Sequence, residues 1–407
     1  MPSKDPRMDD HTHSHHHSSR PSDHHARSHE VYPSRRDFLR VLMGGPLAGA
    51  SILELAYHRA AWARAALDSG SKLFDLEKAA EGIYFAQARP QAMINCNAAI
   101  FVGAKYVVVV DAHSKPSAAT SLLGQIKREI TEKPVRYVIN THFHWDHTQG
   151  NHAYRLAEQK LDFIASTATK QLMSDLAVAR LKASLGQVPK QVEELRARAA
   201  KSTSSDEKTF CAGQIRQLEA YQVELQNYSL ELPTITFEKS YLLQDSAHDL
   251  HIEFHGHAHT AGDVVVFCPQ KRVVATGDMI HGFLPFIADG YPRVWPGTIR
   301  SVGQLEFTQI LPGHASLQHG HTIMSNMGNY IEELTARVEE GKKAGLNVVD
   351  LQKRITVASL KSLQSNGYGE YIQRNNYRFT PNFGKLPPLQ TGVNTNIGEI
   401  YSNLDRV

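Results

Sequence analysis

The chain has 407 residues, 41% of them hydrophobic and 21% charged, with a formal net charge of +3. That length and balance suit a folded globular protein of one large domain or two smaller ones, and they exclude a wholly disordered or collagen-like chain. The small charge surplus gathers into no basic patch, so nucleic acid is not an expected partner. Cys96, Cys211 and Cys268 are too far apart in sequence to imply a disulfide framework.

Residues 1–65 read as a leader. Histidines crowd from His11 to His17 and recur at His24, His25 and His29 in a polar stretch without apolar pattern, so disorder is expected there. A solvated segment lost on cleavage is the plain reading, and metal scavenging the alternative. Ser34 to Arg40 (SRRDFLR) resembles the twin-arginine export motif. Val41 to Leu53 follows as an uncharged stretch, too short and too Gly-rich for a spanning helix, and Ala63-Arg64-Ala65 offers a cleavage site. A basic start to an amphipathic helix is the competing reading. The expected location is the periplasm or another compartment reached by the twin-arginine route, with no stable membrane span after cleavage.

Pro134 to Ile139 reads as a short buried strand, β-branched and apolar, ended by Asn140. Directly after it, Thr141 to Thr148 (THFHWDHT) packs four metal-capable side chains together: His142, His144, Asp146 and His147. On an extended segment His142 and His144 point to one side. Asp146 and His147 come where the chain turns and can face a second position. A solvated histidine-rich turn is the bland alternative, weakened by the strand in front and the fixed spacing. One tetrahedral structural zinc is disfavoured, because adjacent Asp146 and His147 do not easily join the alternating histidines around one ion. Gly150-Asn151 then break the chain before a helix over about 152–159, the usual arrangement for a site at the carboxyl end of a strand.

From about 169 to 230 the pattern becomes helical and charged, with a polar break over Lys201 to Lys208. This reads as an inserted helical hairpin, either a lid or dimer surface or a solvated pair. Thr234–Phe237, Ser240–Gln244 and Leu250–Phe254 read as strands rejoining the core. Among His251, His255, His257 and His259, the last is chosen as a ligand, since it precedes Thr260-Ala-Gly-Asp263 and a buried strand that contains Cys268. Arg272 to Asp278 is a β-branched run ending in Gly-Asp; a carboxylate there can bridge two cations, although a plain turn Asp is the alternative. Phe283 to Trp295 is an aromatic, Pro-rich loop that either shapes a pocket or packs on the surface. Gln309 to His314 is an apolar strand running into Pro-Gly-His, which displays His314 on a tight turn. His319 and His321 are read as lying beside the ligands or at the surface. Helices are expected over Met324–Gly341 and Val348–Leu363, followed by an Asn-, Tyr- and Pro-rich tail over 367–407, poor in pattern, that wraps the domain or pairs with another subunit.

The ordered set resembles the metallo-β-lactamase superfamily of metallo-hydrolases over roughly Leu73 to His321. The resemblance implies an α/β, four-layer αβ/βα sandwich with a helical insertion and a helical C-terminal extension, bounded as 66–330 for the domain and 331–407 for the extension. It makes Asn95–Val102 and Val107–Asp111 the opening strands, with Asp111 structural. It assigns His142, His144 and His259 to a first metal, Asp146, His147 and His314 to a second, and Asp278 to both. The implied activity is an exported dinuclear zinc hydrolase that cleaves an ester, thioester, lactone or β-lactam bond of a small molecule with a metal-bound hydroxide. Asp146 orients it and passes a proton; iron or manganese could replace zinc, and a homo-oligomer is possible. Asp at 278, where the best-known lactamases carry Cys, is closer to the glyoxalase II, lactonase and quinoprotein-associated patterns. His144 disfavours the diiron oxidoreductases, which carry Glu there. A mono-iron persulfide-dioxygenase-like oxidoreductase and a non-catalytic metal-binding accessory protein remain the alternatives.

Overall fold

The computed structural model describes residues 73–89, 96–158, 160–226, 228–379 and 389–406, with the side chains of 375–379 left aside. The leader over 1–65, with its twin arginines and histidine run, lies outside the described residues. Among the described residues no helix is long and apolar enough to cross a membrane.

Seven strands form one sheet in chain order: β1 (Phe74–Ala80), β2 (Ile83–Ala88), β3 (Ala98–Val102), β4 (Val107–Val110), β5 (Val135–Ile139), β6 (Asp162–Ser166) and β7 (Ile235–Phe237). The first four pair antiparallel and β4 to β7 pair parallel. Parallel neighbours need crossovers. These are α1 (Pro116–Gln125), then the one-turn α2 (Trp145–Thr148) with α3 (Asn151–Ala157), then the long pair α4 (Thr167–Lys201) and α5 (Ser205–Leu225). Six strands make the second sheet: β8 (Ser240–Leu243), β9 (Leu250–Glu253), β10 (Val265–Cys268), β11 (Val273–Gly277), β12 (Gln309–Pro312) and β13 (Gln318–His319). Within it β11 and β12 run parallel, joined through α6 (Trp295–Val302).

The inner strands β3, β4, β10 and β11 are buried almost throughout because both faces of each sheet are covered there. In β4, Val108 and Val110 face the second sheet, whereas Val107 and Val109 face α1 and its Leu122. In β10, Val266 and Cys268 face the first sheet, while Val265 and Phe267 meet α6 and the C-terminal helices. Period-2 alternation thus sorts the side chains into an inter-sheet core and two helix-facing cores, giving four layers, α/β/β/α, the sandwich expected from the sequence.

The C-terminal part is helical: α7 (Thr322–Lys343), α8 (Val348–Arg354), α9 (Lys361–Gln364), α10 (Tyr368–Phe379) and α11 (Leu389–Asn403). Three details differ from the sequence expectation. The polar break between α4 and α5 is only Ser202 to Ser204, because Ser204 caps α5 by accepting from the Glu207 amide. The expected helix over 348–363 is divided at Ile355, where α8 ends in extended backbone. The tail, poor in pattern, holds α10 and α11, the latter set by burial of Val393, Ile397 and Ile400 against the second sheet's helices. Helix α7 runs unbroken through residues 330 and 331.

Candidate metal centre

Four strand ends meet at one edge of the sandwich: the carboxyl ends of β4 and β5 in one sheet, and of β11 and β12 in the other. Backbone hydrogen bonds stitch the loops there. The Val264 amide donates to Thr141 O, Asn97 N to Gly313 O, Gly313 N to Gly277 O, and Ala112 N to His147 O. The approach is close enough to require glycine at two positions. A Cβ on Gly277, whose φ is +52°, would collide with Thr141, and one on Gly313 would collide with Asp278 and His147.

Asp111 leaves β4 with φ 67° and fastens the histidine loop. Its carboxylate accepts from the Thr141 amide at 2.8 Å, from the Thr141 hydroxyl at 2.9 Å and from His147 Nδ1 at 2.8 Å. This is the structural place anticipated for it. The other histidines are held similarly, each by one ring nitrogen. His142 Nδ1 lies 3.0 Å from the Thr141 hydroxyl, His144 Nε2 donates to Asp289 at 2.9 Å, and His259 Nδ1 donates to the Phe286 carbonyl at 2.9 Å. Carbonyl and carboxylate partners only accept, so they fix the tautomers and leave the opposite nitrogens as lone pairs turned inward.

Those inward atoms converge. His144 Nδ1 and His259 Nε2 are 2.8 Å apart, and the ligand atoms of His142, His144 and His259 all lie within 4.8 Å of one another. His142 Nε2 and His147 Nε2 are buried without a hydrogen-bond partner. His147 Nε2 faces Asp278 Oδ1 at 3.3 Å and Asp146 Oδ2 at 3.6 Å; His314 Nε2 faces Asp146 at 3.1 Å and Asp278 Oδ2 at 3.3 Å. Asp278 Oδ2 also lies 3.7 Å from His259 Nε2, so this carboxylate touches both groups. All seven residues singled out from the sequence therefore come together, in a nitrogen-only group and a mixed nitrogen–oxygen group. Lone pairs aimed at one another, with outer nitrogens held by carboxylates and carbonyls, suit divalent cations.

The electrostatics separate the two groups. Burial pushes His259 down to about 3 and His142 well below its ordinary value, which keeps both neutral and able to ligate. Burial would lower His314 too, but the Asp278 and Asp146 carboxylates outweigh it and raise the group to about 9. His147 is likewise raised despite its burial, by the Asp278, Asp111 and Asp146 carboxylates. The mixed group is thus a place that attracts positive charge. Cys96, Asp111 and His147 form a further set with ligand atoms close together. Burial pushes the Cys96 thiol up to about 12, which makes it a poor ligand, and Asp111 is already engaged.

The remaining histidines lie elsewhere. His255 bonds Ser301 and Glu253, His257 packs against Tyr291, and His251 stands on β9 beside Glu253. His319 is exposed and His321 stacks on Phe307. Three buried histidines escaped notice in the sequence: His113, His248 and His281. His281 packs beside His314, with ring centroids 6.1 Å apart, and burial lowers it to about 4. His113 donates to the Cys96 carbonyl, packs tilted against Phe74, and is lowered by burial to about 3. Asp289, which holds His144, was also missed. It comes from the aromatic loop after Asp278, and that loop does border the site: the half-exposed Phe286 ring lies 5.6 Å from His144 and 6.0 Å from His259.

A family model described as the metallo-beta-lactamase superfamily matches residues 93–314. Among solved structures, a metallo-beta-lactamase from Pontibacter korlensis is 17% identical, with 64% of this chain and 99% of that one covered at a TM-score of 0.47. The DIM-1 metallo-beta-lactamase is 15% identical, with 64% and 97% covered at a TM-score of 0.45.

Proposed function

The chain belongs to the metallo-beta-lactamase superfamily, mostly metal-dependent hydrolases, and from that premise we propose that it is an exported dinuclear zinc hydrolase of an ester, thioester, lactone or β-lactam bond. The observation that carries the reading is the inward convergence of His142, His144 and His259 beside Asp146, His147 and His314, with Asp278 reaching both groups. In this reading the first three hold one ion, the second three hold another, and Asp278 is shared. When bound, the ions would lower the pKa of water and stabilise negative charge on the substrate's carbonyl oxygen.

The protein's own groups do the rest. Asp146 accepts a proton from the attacking water and delivers it to the leaving group, a role suited to a carboxylate next to His314 and His147. Thr141, Asp111, Asp289 and the Phe286 carbonyl hold the histidine rings in their tautomers, so no reorganisation is needed during turnover. Phe286 offers an apolar wall to the substrate beside the first group. Asp at 278 favours the glyoxalase II-like branch over the Cys-bearing lactamases. Export rests on the twin-arginine run at Ser34 to Arg40.

The test is metal counting together with turnover of a chromogenic lactam, a lactone and a thioester, repeated with Asp146→Asn. Two zinc ions per chain and turnover lost in the variant are expected. One iron per chain, or equal rates in both proteins, would overturn the reading.

A further inference from the structure

Helices α4 and α5 occupy the β6–β7 crossover and bury little of their own length; Val178 and Val223 stand 57% and 67% exposed. Besides bonds from Thr167 and Thr169 to Phe237 O and Gly262 O and from Ser117 to Glu224, several of their contacts with the body of the protein are with the metal loop. Arg180 of α4 donates through both terminal nitrogens to Asp289, at 2.6 and 2.8 Å, and Asp289 in turn accepts from His144 Nε2. The Arg180 guanidinium also lies over the Phe143 ring, 5.0 Å from its centre. Trp145, between His144 and Asp146, packs into a small apolar cluster with Leu181, Leu185, Tyr221 and Leu225 of the two helices. The Tyr221 hydroxyl donates to Gln149 at 2.9 Å, just past the loop.

We infer that the helical insertion is a brace for the first metal group, and that Arg180 is a positioning residue acting on His144 through Asp289. The inference rests on the metal-binding reading above. An exposed ion pair usually contributes little, but this one has the two-pronged geometry that gives an arginine–carboxylate pair directional strength. With both oxygens held by Arg180, the Asp289 carboxylate is fixed in place as an acceptor for the imidazole. Without the fork, Asp289 can swing to solvent and the His144 ring loses the partner that sets its tautomer. Asp146, His147 and His314 have no contact with Arg180 among the hydrogen bonds and ion pairs of the described residues, so the effect should be confined to the first group.

The experiment is zinc titration of metal-stripped full-length protein against a competing chelator, with the visible spectrum of the cobalt-substituted protein as a second readout. Arg180→Gln should weaken one of the two zinc sites by about 10-fold or more, within the range for residues that orient a ligand, and change the cobalt spectrum. Asp289→Asn should do at least as much. Arg196→Gln, which breaks a pair between the two helices only, should stay within about twofold of wild type. Wild-type affinity in Arg180→Gln beside a loss in Asp289→Asn would overturn the inference. Should Arg180→Gln fail to fold, Arg180→Lys decides: a folded lysine variant with weakened zinc supports the brace, and one with wild-type zinc affinity overturns it. A wild-type chain that takes up no metal defeats the functional reading instead, and this inference with it.

Discussion

The two candidate metal-binding groups share the loop after β5 but are steadied from different parts of the molecule. Asp146, His147 and His314 hang on the sandwich itself, with Asp111 at the end of β4 beneath them and Gly277 and Gly313 allowing the sheets to close. His144 and His259 are steadied from outside, by Asp289 and the Phe286 carbonyl on the loop after Asp278. That loop is pinned from two sides. Arg180 grips it from the insertion, and α11 grips it from the C terminus: Asn396 donates to Pro285 O, Asn403 donates to Ile287 O and Ala288 O, and Glu399 accepts from the Ile287 amide. The contrast teaches that the mixed group is fixed by the sandwich, while His144 and His259 of the histidine group depend on segments outside it.

Breaking the scaffold side should cost most. Asp111→Ala strips the partners from the Thr141 amide and His147 Nδ1 in a buried place, and a loss of about 3–5 kcal/mol in chemical unfolding is expected. Metal at the mixed group should be lost as well, as read by metal counting. On the peripheral side, Asn403→Ala removes one donor from each of the Ile287 and Ala288 carbonyls, which keep the Gly290 amide and the Arg406 guanidinium, for a loss of about 1–2 kcal/mol. Zinc titration of that variant should show one weakened site and one unchanged site; two equally weakened sites would erase the distinction drawn here. Tyr221→Phe removes the hydroxyl that bonds Gln149 and Ser184 and should cost about 1 kcal/mol, visible as a small drop in Tm.

The groups should also part company with pH in metal-stripped protein. His259, His113 and His281 sit at about 3, 3 and 4 in the folded state, below the ordinary 6.5, so the unfolded chain takes up their protons first. Their stabilisation is present above about 6.5 and is lost as pH falls toward those values. His314 is raised to about 9, so its contribution is full below about 6.5 and is lost as pH rises through 9. Thermal unfolding of stripped protein should therefore weaken in both directions. Loading with zinc should abolish the alkaline limb, because the ion then takes the place of the proton on His314.

The scaffold side was the legible side. β-branched runs ending in His, Gly-Asp or Pro-Gly-His are local patterns, and their order along the chain pointed to the seven residues that the fold gathers. The periphery was not legible for a physical reason. Arg180 and Asp289 are distant in sequence, and neither stands in a pattern that announces the pair. Helix α11 carries Gly, Asn and Thr with weak helical preference; what makes it a helix is the burial of Val393, Ile397 and Ile400 and the carbonyls its asparagines reach. The short break between α4 and α5 was missed because a serine cap can restart a helix within a polar stretch.

The most direct measurement is anomalous diffraction at the zinc edge from crystals of the protein grown with zinc. The account predicts two peaks per chain, one among His142, His144 and His259 and one among Asp146, His147 and His314, with Asp278 in reach of both. A single peak, or peaks away from these side chains, would contradict it.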